Sequence, residues 1–245
     1  MSSMDMSCYH GSMIAEGTDM KKQHDVIPRQ MRLPLILTVT CNMVTYYGTR
    51  LFTAKRYHYD LSNGLDDRIP LIPWTIAIYL GCYAFWIANY LLGCRQERRI
   101  AFRFLGADLV AKMICMACFL LFPTTNVRPF VEGSSFWEMA MVWLYSADAA
   151  DNLFPSIHCL TSWFCVIAVR ENEGIPRWYR TLSVILAFSV CISTLTTKQH
   201  VLMDVAAGIA LAEGSYALVE KSGFALRYQE WVAARYDKRM TRRVR

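Results

Sequence analysis

The sequence predicts an all-α polytopic membrane protein, a bundle of six transmembrane helices with both termini in the cytosol. Three observations carry that prediction. Of 245 residues, 54% are hydrophobic and only 19% charged, with a mean hydropathy of +0.21, whereas a soluble domain carries about 25% charged residues. The apolar residues gather into runs near the ~20 that cover a ~30 Å hydrocarbon core. The connections between those runs alternate between strongly basic and weakly basic, as orientation in a membrane requires.

Residues 1–32 are polar and Met-rich and lack a short apolar core, so they are expected to form a disordered cytosolic segment without a signal peptide. The membrane domain is expected over 33–222. Long apolar runs occupy 33–52, 70–94 and 104–122, and weaker ones follow at 153–169, 181–197 and 201–219. The last is weakened by Asp204 and Glu213. Residues 223–245 form a basic tail whose interspersed aromatics suit an anionic membrane surface better than nucleic acid.

Loop charges test the count of spans separately. Basic residues cluster before span one (Lys21, Lys22, Arg29, Arg32) and after span two (Arg95, Arg98, Arg99, Arg103). They cluster again after span four (Arg170, Arg177, Arg180) and throughout the tail. The 123–152 connection holds Arg128 alone against Glu132, Glu138, Asp148 and Asp151. That alternation places both termini inside and the 123–152 connection outside.

On this topology His158, at the start of span four, shares the outer face with His200 and Asp204, at the start of span six, and with Arg128. Ionisable groups at such depth are functional candidates. His200 and Asp204 are four apart and share a helix face. The carboxylate can hold one imidazole nitrogen and leave the other as a nucleophile. His158 can act as general acid on a leaving oxygen. Arg128 offers a planar fork for phosphate oxygens, Lys198 a mobile charge, and Ser156 a cap where free amides favour an anion. Together they suggest phosphoryl transfer.

The blocks TNVRP (125–129), FPSIH (154–158) and STLTTKQHVLMD (193–204) resemble the three signatures of the type 2 phosphatidic acid phosphatase superfamily. YSADAADNLFPSIH with TKQHVLMD is similar to its inositol phosphorylceramide synthase-like branch. The resemblance covers roughly 33–220. It implies that His200 attacks phosphorus to give a phosphohistidine, oriented by Asp204, while His158 protonates the leaving alkoxide. Arg128, Ser156 and the amides around Ile157 and His158 would hold the phosphoryl oxygens, with no metal or other cofactor. The chain departs from the pattern at Leu121, where a lysine is usual, at Ile157 for glycine and at Thr194 for arginine. Lys198 is the candidate replacement for one missing cation.

The nine cysteines fall mostly within apolar runs and are expected to pack as small hydrophobes, Cys115 and Cys118 included. Asp108 and Lys112 are expected to pair inside span three. The expected activity is hydrolysis of a lipid phosphate monoester or diphosphate at the outer face of the plasma membrane. The alternatives are transfer of a phospho-head group to an acceptor alcohol, and a catalytically silent membrane scaffold. The expected partners are the lipid phosphate and membrane lipids.

Overall fold

Phe102, Phe104, Leu105, Ala107, Ala111 and Cys115 lie on one helix and are all shut off from solvent. That helix organises the bundle. The computed structural model describes residues 25–243, with side chains to residue 236, so the expectation for residues 1–24 lies outside the described residues. Helix α1 (Arg29–Met43) runs through a π turn (Val44–Gly48) into α2 (Thr49–Thr53). Strand β1 (Tyr59–Asp60) and two 3-10 turns (Asp66–Arg68 and Pro73–Thr75) lead to α3 (Ile76–Cys94) and the central α4 (Arg98–Leu121). After β2 (Thr124–Thr125) come α5 (Phe136–Ala147), α6 (Ile157–Arg170), α7 (Arg177–Thr196), α8 (Leu202–Lys221) and α9 (Phe224–Arg243).

Among the described residues, four helices are long and apolar enough to cross a membrane: Pro73–Cys94, Arg98–Leu121, Arg177–Thr196 and Leu202–Lys221. The chain is therefore a largely helical, membrane-embedded protein. The span weakened by Asp204 and Glu213 is among the four. The two remaining expected spans differ from expectation. Residues 33–52 fall in the α1–α2 run, which is helical throughout but broken by the π turn. Residues 153–156 are loop, which leaves α6 with 14 residues, about 21 Å at helical rise.

Helix α6 is short because it is interior. It packs against α3, α4, α7 and α8, and all its residues except Trp163 and Arg170 are buried. Its polar start is satisfied locally: Ser156 Oγ accepts a hydrogen bond from the Cys159 amide at 3.3 Å, which closes an N-cap. Helix α4 carries the expected pair, with Lys112 Nζ donating to Asp108 Oδ2 at 2.9 Å and Tyr90 Oη to the same oxygen at 2.8 Å. Glu213 accepts from Trp163 Nε1 at 2.7 Å and from Arg170 at 2.5 Å. Cys115 Sγ donates to the Pro155 carbonyl at 3.6 Å, and every described cysteine is a free thiol.

The connections 54–75 and 122–156 lie together at one end of the bundle. Their strands β1 and β2 pair in parallel, Tyr59 with Thr124 and Asp60 with Thr125. Within the second connection, α5 is started by a capping box between Ser135 and Glu138. The turn between α7 and α8 lies at the same end: Asn126 Nδ2 donates to the Lys198 carbonyl at 3.0 Å.

Candidate active site

The α7–α8 turn is built so that His200 faces inward. Lys198 takes a left-handed conformation, φ +53°, unusual outside glycine. The chain doubles back, and the amides of Gln199 and His200 both donate to the Thr194 carbonyl, at 2.9 and 3.1 Å. The turn is then held from several sides. Tyr145 Oη donates to the Thr197 carbonyl at 2.9 Å, Lys198 Nζ to the Asp66 carbonyl at 2.9 Å, and the Ile72 amide to the Thr196 carbonyl at 2.9 Å. Asp66 also caps α8, since its Oδ1 accepts from the Leu202 amide at 2.7 Å.

His200 Nδ1 stands 3.2 Å from Asp204 Oδ2, which also accepts from the Val201 amide at 3.1 Å. In the neutral ring this fixes the proton on Nδ1 and leaves the lone pair on Nε2. Burial alone would lower the His200 pKa; the Asp204 hydrogen bond and charge outweigh it, and the value stands above that of an ordinary imidazole. The Ser156 amide donates to the Asp204 carbonyl at 3.1 Å, so the start of α6 is tied to the first turn of α8. Gly208, one turn further along, allows the close approach: a Cβ there would meet the Ser156 carbonyl oxygen at 2.8 Å.

That contact brings the two imidazoles together, with ring centroids of His158 and His200 6.1 Å apart. Three α3 aromatics enclose His158. Tyr79 stacks on it at 4.4 Å, Trp86 lies at 5.4 Å and Tyr83 at 6.5 Å. Tyr79 Oη is 3.5 Å from His158 Nδ1. His158 Nε2 is buried and has no hydrogen-bond partner among the described residues, and the same holds for Gln199 Nε2, Asn126 Oδ1 and Arg128 Nε. Buried polar atoms are nearly always paired, so these four are open to a hydrogen bond with water or a polar ligand.

A pocket of about 300 Å³, open mouth included, is lined by Ile157, His158, Gln199 and His200 together with Tyr46, Asp148, Asp151 and Asn152. Asp204 and Ser156 support it from behind. Arg128 lies beside it, its terminal nitrogens donating to the Asp148 carbonyl and, at 2.6 Å, to Gln199 Oε1. Burial lowers its pKa, with the Asp148 charge opposing. Lys198 is not brought in, because its ammonium is held on the Asp66 carbonyl. The departures at Leu121 and Thr194 supply no charge either. Leu121 is 78% exposed at the end of α4, and buried Thr194 donates to the Cys191 carbonyl of its own helix.

The sequence reading missed the acidic wall. Tyr46 Oη donates to Asp148 Oδ1, and Arg50 Nε pairs with Asp151 at 2.8 Å. Asn152, at φ +51°, donates from Nδ2 to Thr49 Oγ1 at 3.2 Å and Thr53 Oγ1 at 3.1 Å. The YSADAAD stretch that carries these acids enters the sequence reading as loop charge and as part of a family resemblance, without a place for Asp148 or Asp151 in the site. An available signal was the 79, 83, 86 aromatic spacing, which puts three rings on one helical face.

A family model described as the PAP2 superfamily matches residues 58–218, more than half of the chain and all of the site except the residues of the α1–α2 run. A search among curated proteins found no match. Superfamily members are phosphatases or phosphotransferases, which accounts for paired imidazoles, a supporting carboxylate and an apolar bundle in one molecule. This chain belongs to the PAP2 superfamily.

Proposed function

We propose that the protein is an integral membrane phosphatase that hydrolyses a lipid phosphate monoester or diphosphate at the extracytosolic face of the plasma membrane. The observation that carries this is the His200 imidazole, held by Asp204 through Nδ1 at 3.2 Å with Nε2 free and the His158 ring 6.1 Å away. His200 Nε2 attacks the terminal phosphorus as its P–O bond to the leaving group breaks (the lipid alkoxide of a monoester, the lipid monophosphate of a diphosphate), and His158 gives that oxygen a proton. Water, deprotonated by His158, then displaces phosphate from the phosphohistidine and restores His200. Arg128 and the amides of Ile157 and His158, which as the first of α6 have no intrahelical partner, are assigned to the phosphoryl oxygens, with Ser156 holding the α6 start. Lys198 would contact phosphate only after leaving Asp66.

Topology enters the proposal as six crossings with both termini cytosolic. The α1–α2 run covers 29–53, long enough to span a ~30 Å core. Helix α6 would complete its crossing through residues 153–156, which are shielded by protein rather than lipid. Irregular backbone at membrane depth is tolerated where it is so buried.

A second reading is favoured by one observation. Asp148 and Asp151 line the pocket, and carboxylates accept hydrogen bonds from hydroxyls but repel a dianionic phosphate. They suit transfer of a phospho-head group to an acceptor alcohol, as in the inositol phosphorylceramide synthase-like branch. Purified protein in liposomes, given phosphatidic acid, prenyl diphosphate, phosphatidylglycerophosphate, or ceramide with phosphatidylinositol, separates the readings. Phosphate release supports the phosphatase and a transfer product the transferase; neither leaves a silent scaffold. Full activity in His200→Ala would exclude the nucleophile.

A further inference from the structure

Helix α5 has twelve residues, about 18 Å at helical rise, too short to cross a ~30 Å core. Its inner face, Met141 and Leu144, packs on Ile76 and Tyr79 at the start of α3. Its outer face is apolar and uncovered. Phe136, Met139 and Trp143 form one stripe, 68%, 56% and 57% exposed, flanked by Trp137 and Val142. The helix carries one charged side chain, Glu138, and that carboxylate folds back on the Ser134 hydroxyl and the Ser134 and Ser135 amides. The outward stripe therefore bears no charge.

The apolar surface continues toward the site. Val127 and Phe130, 84% and 89% exposed, bracket Arg128. At the other end of α5, Tyr145 holds the His200 turn and Asp148 lines the pocket. The stripe also adjoins the start of α3, where Trp74 is exposed. An uncharged stripe with one tryptophan on it and another beside it, joined to a membrane-crossing helix at its end, fits the boundary between headgroups and acyl chains, where Trp concentrates and short amphipathic helices lie in plane.

We propose that α5, with Val127 and Phe130, dips into the leaflet on the active-site side and forms the rim along which the acyl chains of the substrate lie while its headgroup reaches His200. The occupant of this face is bilayer lipid. The leaflet contact stands on geometry alone, while the role in substrate delivery rests on the site acting on a lipid.

The test uses full-length protein in phosphatidylcholine nanodiscs, with a spin label at Met139→Cys, Trp143→Cys or the loop reference Glu173→Cys. The unsubstituted protein, labelled in parallel, supplies the background from native thiols. At 139 and 143, collisions with oxygen should exceed those with a water-soluble nickel chelate by about threefold or more relative to 173, as for a helix seated in the acyl boundary. Nickel-dominated collisions there would place α5 in water and overturn the proposal. Shielding from both probes would mean a protein partner covers the stripe, which also overturns it. In a second arm, Trp143→Asp should lower the ratio of turnover on a long-chain lipid to that on its short-chain, water-soluble analogue by about fivefold or more, because a charge on the stripe weakens lipid contact. An unchanged ratio would remove the role in delivery. If no lipid is turned over, the collision arm still decides where α5 lies.

Discussion

Gly208→Ala tests whether the spacing of α6 and α8 sets the geometry of the two histidines. The added methyl would sit 2.8 Å from the Ser156 carbonyl oxygen and 3.2 Å from both Cys159 Cβ and the Leu160 amide. Two of these three atoms are backbone, so no rotamer change can relieve the contact. A comfortable separation is about 3.5 Å, so the helices must part by roughly 0.7 Å. The Ser156 amide to Asp204 carbonyl bond, 3.1 Å, resists that parting, and His158 is two residues beyond it. A misplacement of about 1 Å costs about a hundredfold in rate; the smaller shift should cost roughly tenfold. Overpacking should also destabilise by about 1–3 kcal/mol. The control is Gly214→Ala on the same helix, where an added Cβ meets nothing within 4 Å and helix propensity favours alanine by about 0.5–1 kcal/mol. Turnover of whichever lipid phosphate is hydrolysed, together with thermal unfolding followed by Trp fluorescence, reads both effects. If Gly208→Ala matched Gly214→Ala in rate within about twofold and in melting temperature, the claim that this contact sets the active geometry would be wrong.

Other outcomes follow from the same structure. Under the proposed function His200 must be neutral to attack, and Asp204 holds its pKa above the ordinary value, so activity should rise with pH through a limb above about 6.5; Asp204→Asn should move that limb to lower pH and cut the plateau by about 10²–10⁴-fold, and an unmoved limb would refute the pairing. Asp66→Ala strips the Leu202 amide of its cap and loosens the His200 turn, which should lower stability by about 1–3 kcal/mol and reduce kcat more than it raises KM, with Asp66→Asn recovering much of both. Lys112→Met leaves the Asp108 carboxylate buried without its cation and should destabilise by about 3–5 kcal/mol in denaturant titrations in detergent. The double change with Asp108→Leu should restore most of that loss, and additive losses would show that the pair is not a unit.

The parts of the fold and site legible in the sequence are those with short-range signatures. Helix-long apolar runs gave α3, α4, α7 and α8, and a four-residue spacing was enough to pair His200 with Asp204. The rest depends on contacts between residues distant in the chain. Tyr46 reaches Asp148 across 102 positions, and neither residue has a local pattern that names the other. Gly208 looks like one more small residue in an apolar helix until the Ser156 carbonyl is seen against it. The apolar run 153–169 does not reveal where α6 begins, because hydropathy scores Leu153, Phe154 and Pro155 like helix residues, whereas their backbone is irregular and largely buried by neighbours. Lys198 was expected to be mobile because side-chain type suggests reach; its acceptor, the Asp66 carbonyl, lies 132 positions away.

The fate of Lys198 bears on how a phosphoryl site could work here with few cations. Leu121 and Thr194 stand where charges are usual, and Lys198 holds a loop, so under the proposed function positive potential falls to Arg128 and the free amides at the start of α6. Fixed donors of that kind stabilise developing charge only if they are already aimed when the reaction begins. The structure meets that condition by immobilisation. The turn carrying His200 is bonded to Asp66, Ile72, Asn126 and Tyr145, and Arg128 is locked between the Asp148 carbonyl and Gln199 with its guanidinium over the Tyr145 ring at 4.9 Å. Under the proposed function, a lysine held on the Asp66 carbonyl exchanges one unit of charge at the phosphate for rigidity around His200. Freeing Lys198 by loosening the 66 loop should therefore weaken catalysis, although it would add a cation beside the pocket.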